Sequence, residues 1–289
     1  MEAPQGGFFL SEQKISFKKP PLSLDEQVKL LVGRGLVVDD YDSAKHYLSF
    51  IGYYRLSGYT RYFTDPTDEK HEAFLKDISF QRVLNLYIFD RKLRALLMDS
   101  FERIEIALKA VVSHEGSILK GAFWLNEPSN FDHGQHEAVL SDVDEAIGSP
   151  GDGKTQHLFI AHFREKYSDV RPPSWMVFET MSFGAVSRTF QGCKGEIQTA
   201  IAKPFDVNRS VLESWMHVLA FGRNVCAHNC RIWNRTFTIK QRHSLVASAD
   251  PRLAFITISP ASTSKPTLRR VLGARICVAS RTVFSLPCS

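Results

Sequence analysis

Polar chemistry in this chain is concentrated in one stretch, Arg209 to Phe237, which reads RSVLESWMHVLAFGRNVCAHNCRIWNRTF. Arg223, Asn224 and His228 stand there between apolar helical turns, followed by Arg231 and Arg235. A guanidinium holds a phosphate through a planar fork of charge-assisted hydrogen bonds. An imidazole takes up and returns protons near neutral pH with no metal. Together they suit phosphodiester chemistry. On a half-apolar helix a lone histidine is usually a packed one, and taken by itself His228 reads so. The other nine histidines are read as structural, and Trp215 and Trp233 as core.

The spacing limits how these groups could meet. On one continuous helix Arg223 and His228 lie about 140° apart around the axis and roughly 7.5 Å apart along it, so they do not converge. Asn224 and His228 share a side, as do His228 and Arg231. Arginine and histidine would reach one target either if the helix breaks at Gly222 or if two copies of the motif face each other across a dimer.

The cysteines do not suggest a metal. Cys193, Cys226, Cys230, Cys277 and Cys288 are odd in number and contain no CxxC pair, which indicates neither a disulfide framework nor a zinc ribbon. Cys226, His228 and Cys230 alternate, and on a helix ligands two apart point about 200° away from each other. No metal and no cofactor are expected.

The elements that must position the motif read as helices. Ser23 and Glu26 fit a capping box ahead of a helix over about 24–33. Asp42 and Ser43 suggest the cap of a second helix. It runs toward Tyr53, Tyr54, Arg55, Leu56, Tyr59, Arg61, Tyr62 and Phe63, aromatics read mainly as core, with stacking on single-stranded RNA as the other reading. The longest helix is expected at about 79–113, where apolar residues recur at three- and four-residue steps. Its charges, Asp90, Arg91, Lys92, Arg94, Glu102, Arg103 and Glu105, read as a solvated or salt-bridged face. A connection is expected from Gly116 to Ser129, a weaker helix over 134–147, a flexible loop at Gly148 to Gly153 and a helix to Tyr167. Arg171-Pro172-Pro173 should open a helix with Trp175, Phe178, Met181 and Val186 inward, and Phe183-Gly184-Ala185 would permit close helix approach. A short helix near 195–203 precedes Pro204, and Asn208 or Ser210 caps the motif helix. No strand is expected before residue 240.

Length and composition set the frame. At 289 residues the chain has ample length for one large or two small domains. No stretch approaches the roughly 20 apolar residues of a membrane span, and MEAPQGGFFLSEQK lacks a signal peptide's basic start and apolar run. The default is a cytoplasmic protein that does not engage a membrane. Charge is unevenly spread. Residues 238–289 hold eight basic residues against Asp250 alone, so the net +5 conceals a body at −2. The basic balance is therefore no evidence that the body binds nucleic acid.

The run RNVCAHNCRIWNR resembles the signature of the abortive-infection (Abi-like) proteins, a bacterial phage-defence family of the HEPN class. The likeness continues, in the family's order, through KPPLSLDEQVKLLVGRGL, YLSFIGYYRLSGY, LYIFDRKLRALLMDSFERIEIALK, HFREKYSD and PPSWMVFETMSFGAVSRTF. It covers about residues 18 to 240. Asn229 departs from it, standing where family members often carry a second histidine.

The resemblance implies an all-α helical bundle with a long spine helix and a motif helix over about 209–237. It also implies a metal-independent endoribonuclease acting as a toxin in phage defence. Arg223, Asn224 and His228 would be catalytic, and only with this resemblance does His228 depart from the packed reading. Arg231 and Arg235, and on the spine Arg91 and Arg103, would contact RNA. The implied partners are an RNA substrate, a second copy of the chain, and an antitoxin RNA or protein. The rival reading is a helical module that binds RNA or protein without cutting. A DNA-binding regulator fits less well, because no basic recognition helix follows a turn.

By this reading residues 1–19 are a flexible N-terminus, 20–240 the helical domain, and 241–289 an atypical basic tail, disordered or out of frame. That tail is rich in Ser, Thr, Pro and Arg and lacks helical period, whereas similar proteins continue with further helices. Limited trypsin digestion is expected to cut first within 241–289 and leave 20–240 intact. Cleavage elsewhere with the tail preserved contradicts this reading.

Overall fold

The structure is a computed structural model that describes residues 16, 19–148 and 157–236. Nearly all of the expected N-terminal segment, residues 149–153 of the expected loop with 154–156 after it, and the whole tail lie outside the described residues. Contacts divide the chain into two compact units, Met1–Ile88 and Phe89–Ser289. Among the described residues the architecture is all-α, with ten α-helices and only isolated backbone bridges in place of strands. No helix among them is long and apolar enough to cross a membrane.

In the first unit α1 (Leu24–Gly33) starts on the expected capping box. Ser23 Oγ accepts the Glu26 N–H at 3.3 Å, and the Glu26 carboxylate accepts the Ser23 N–H at 2.7 Å. α2 (Tyr41–Ile51) is capped by Asp40, whose carboxylate accepts the Ser43 N–H at 2.9 Å. Asp42 and Ser43, the expected caps, lie inside the helix, and Asp40, whose backbone is extended, takes the role. Gly52, with φ of 81°, turns the chain into α3 (Tyr53–Thr60) and a 3-10 turn over Arg61–Phe63. Val28, Leu31, Leu48, Leu56, Tyr59, Phe63, Val83 and Leu84 form this unit's core.

α4 (Phe80–Lys120) is the spine and runs 41 residues, about 60 Å. It continues through Gly116, where a connection was expected, and stops at Gly121, with φ of 91°. Gly116 is helical because the ring of Trp124 fills the space beside it. A Cβ there would stand 2.5–2.8 Å from the indole. Trp124 is fully buried and stacks between Phe131 and Phe178, with centroids 6.0 and 5.9 Å away.

The second unit packs α5 (His136–Ile147), α6 (Leu158–Lys166), α7 (Ser174–Thr180), α8 (Phe183–Gly192), α9 (Gly195–Ala202) and α10 (Arg209–Ala227) around that tryptophan. The expected single helix after Pro173 is two, because Ser182 turns extended and its hydroxyl accepts the Ala185 N–H, starting α8 afresh. Phe178, Met181 and Val186 are buried as expected, but Trp175 is half exposed. Gly184 does not mark a close helix crossing. A Cβ there meets only Arg188 and Ser182 at ordinary distances, whereas Gly222 of α10 is pressed on Phe101 of α4 at 2.9 Å.

Gly116→Ala places a methyl inside the Trp124 ring contact. Overpacking of this kind costs about 1–3 kcal/mol, against at most about 1 kcal/mol of helix propensity gained. The variant is expected to unfold at lower urea concentration than wild type, with Gly121→Ala failing through its positive φ instead.

Candidate active site

The motif rests on one stripe of α4. Asp90, Arg94, Leu97, Phe101, Glu105, Leu108 and Val112 recur at helical spacing. Asp90 (0 % exposed), Arg94, Phe101, Glu105, Leu108 and Val112 are buried. Of the charges read as a solvated or salt-bridged face, these three are buried and salt-bridged. They are tolerated because each has a partner. Arg94 pairs with Asp90 within one turn, and the other Asp90 oxygen accepts two backbone N–H groups, from Ile232 at 3.1 Å and Trp233 at 2.7 Å.

Those two N–H groups belong to the chain beyond the motif helix. α10 starts on Asn208, whose side chain accepts the Ser210 N–H, and it runs unbroken through Gly222. It ends at Ala227, ten residues short of the expected Phe237. Asn229 takes φ of 55° and gives its N–H to Cys226 O at 3.0 Å, while Cys230 N–H reaches Val225 O at 2.9 Å. This pair of bonds closes a helix C-terminus, and asparagine tolerates the left-handed conformation it requires. His228 is therefore the C-cap residue, not an interior residue of a longer helix.

Arg223 is half-buried and aimed. Its Nε donates to Glu105 Oε2 at 3.1 Å and its Nη1 to Asn224 Oδ1 at 3.2 Å, while Lys109 holds the second Glu105 oxygen at 3.1 Å. Two of the five guanidinium donors are thereby used, and three remain for an anion. Asn224 and His228 are exposed one turn apart, and His228 N–H donates to Asn224 O at 2.9 Å. The structure brings Arg223 to Asn224, and Asn224 to His228. Within one chain it keeps Arg223 and His228 on different sides of α10.

The remaining expected residues scatter. Arg235 folds back so that its guanidinium lies 5.5 Å from the Phe221 ring, and its Nη1 donates to Arg231 O at 3.4 Å. Arg91 and Arg103 are exposed on α4. Arg103 pairs with Asp99 at 3.4 Å, two positions and about 200° away from Glu105. Trp215 and Trp233 are half-buried, which makes them edge residues of the core. Cys226 is turned inward with Phe101, Val225 and Ile232, and burial pushes its thiol up to about 11, so it stays protonated and inert near neutral pH. Cys230 is exposed. No group of three potential metal ligands occurs among the described residues.

Residues 46–234 match the family described as Abi-like protein. The chain belongs to the Abi-like family. No curated protein and no solved structure matches it. The family match ends at Asn234, so it takes in α10, its cap and the segment held by Asp90. The family's name places the chain's setting in abortive-infection phage defence. Of the residues around the Abi-like motif, Asp90, Arg94 and Glu105 were read from the sequence as part of a solvated or salt-bridged face, without a link to the motif. A signal was present: Asp90 to Arg94 and Glu105 to Lys109 are opposite charges four apart, on the apolar side of the stripe.

Asp90→Ala removes the acceptor for two backbone N–H groups and leaves Arg94 buried without its carboxylate. Breaking a buried pair from one side costs about 3–5 kcal/mol. Hydrogen exchange at Ile232 and Trp233 is expected to rise sharply in this variant, well above any change in α8. Unchanged protection at those two amides contradicts the clamp.

Proposed function

We propose that this Abi-like chain is a metal-independent endoribonuclease of the HEPN type that acts as a toxin in phage defence. The observation that carries the reading is the rim at the end of α10. Arg223 is aimed by Glu105 and Asn224 with donors to spare, and His228 stands exposed at the helix end beside Asn224. His228 takes the proton from a ribose 2′-hydroxyl, which attacks the adjacent phosphorus. Arg223 stabilises the charge that grows on the phosphoryl oxygens. Asn224 orients the imidazole or the phosphate, and Arg231 and Arg235 contact the RNA backbone. The products are a 2′,3′-cyclic phosphate and a 5′-hydroxyl. DNA is not cut, because it lacks the nucleophile.

The active species in this proposal is a homodimer. The unbroken course of α10 through Gly222 favours this over a helix break, with Arg223 of one copy working beside His228 of another. An RNA or protein antitoxin would silence the pair outside infection.

The test is cleavage of a labelled mixed-sequence RNA in EDTA by wild type, Arg223→Ala and His228→Ala, each verified as folded. Loss of roughly a hundredfold or more is expected in each variant, and an equimolar mixture of the two should regain part of the activity through one intact composite site. Folded wild type that binds the RNA without cutting it makes the chain a binding module instead.

A further inference from the structure

The aromatic residues of α3 and the turn after it divide between two sides. Tyr53, Tyr59 and Phe63 face inward. The Tyr53 hydroxyl accepts from Arg34 Nη1 at 2.9 Å, Tyr59 meets Tyr87 edge to face at 5.4 Å, and Phe63 lies 5.6 Å from the Arg82 guanidinium. Tyr54 and Tyr62 face outward, 92 % and 56 % exposed. Phe50, one turn ahead of Tyr54 in sequence, is also well exposed. The inner rings are packed in the core, whereas Tyr54 and Phe50 stand largely in solvent and Tyr62 keeps over half of its surface there while meeting Phe63 edge to face at 5.2 Å.

The outer rings are interleaved with positive charge. Arg55 and Arg61 are exposed, and between Ser43 and Thr64 there is no acidic residue. Seven residues, two helical turns and about 10 Å, separate Tyr54 from Arg61 and Arg55 from Tyr62, so each ring shares a line along the helix with a guanidinium. Gly58, exposed between them, raises no side chain. Exposed rings beside exposed guanidinium groups are complementary to a strand whose bases stack and whose phosphates carry charge. Such rings can stack only on bases that are not already stacked in a duplex, which selects a single strand.

We propose that Tyr54, Tyr62, Arg55 and Arg61 form a docking surface for single-stranded RNA on the outer side of α3. The surface rests on the reading of the chain as a protein that acts on RNA, and it is formed by residues other than the α10 motif. Its role is to hold the substrate strand by stacking and charge, without choosing a sequence.

The test uses the full chain and a short fluorescein-labelled mixed-sequence RNA, 2′-O-methylated throughout so that it cannot be cleaved. Anisotropy titrations compare wild type, Tyr54→Ser with Tyr62→Ser, Arg55→Ser with Arg61→Ser, and His228→Ala. The tyrosine pair is expected to weaken binding roughly tenfold or more. The arginine pair should flatten the dependence of log affinity on log salt by about 1.4, a readout that does not rely on the tyrosine variant. His228→Ala is the contrast: weaker binding there with both surface variants unchanged places the RNA at the α10 motif and overturns the docking surface. Both surface variants should keep the wild-type melting temperature, since their side chains are largely exposed.

Wild-type binding and cleavage with both surface variants unchanged overturns the docking surface and leaves the ribonuclease reading standing. Wild type that neither binds nor cuts overturns both. Binding that depends on the tyrosines in a protein that does not cut supports the surface and removes the catalytic reading. A change of oligomeric state in the tyrosine variant, with RNA affinity unchanged, assigns this side of α3 to protein contact and overturns the proposal.

Discussion

A carboxylate with no exposure to water governs the end of this chain. Asp90 has one oxygen on Arg94 and the other on the backbone N–H groups of Ile232 and Trp233. Burying a charge is unfavourable unless it is paired and hydrogen-bonded, and here partners come from the next turn of α4 and from the segment after α10. The position of residues 228–235 is therefore set by a contact spanning about 140 residues of sequence. Ile232, buried between these contacts, and Arg235, over the Phe221 ring, hold the same segment.

Around that anchor the helices approach by removing side chains. Gly222 lets α10 come down on Phe101, one turn from Glu105, and Gly116 lets the spine accept the Trp124 ring. Close packing at Gly222 has a chemical consequence, because it puts Arg223 beside Glu105 while leaving its remaining donors outward. Glu105 shares its charge between Arg223 and Lys109, so the guanidinium is held in direction without being fully satisfied. That arrangement suits a group that must meet a phosphate, since a rigid donor loses less freedom on binding than a mobile one.

The helix end matters as much as the helix. Asn229, the residue that departs from the family's usual pattern, takes a left-handed conformation that closes α10 and leaves His228 exposed at the cap. Its role in this chain is conformational, and it follows from the short polar side chain that makes asparagine tolerant of positive φ.

Much of this was legible in the residues alone. Helical periodicity and capping chemistry gave an all-α chain, a long spine and the start of the motif helix at Asn208, because those signals are local and depend on one or two turns of sequence. Arg223, Asn224 and His228 were legible as candidates through residue type and family resemblance together. The tertiary structure alone decided that Asp90, Arg94 and Glu105 are buried and not solvated, that Tyr54 and Tyr62 face outward while Tyr59 and Phe63 face inward, and that α10 stops at Ala227. Each of these depends on which side of a helix meets another element. A charge series or an aromatic run reads the same whether its face is covered or bare, and only packing at long range covers it.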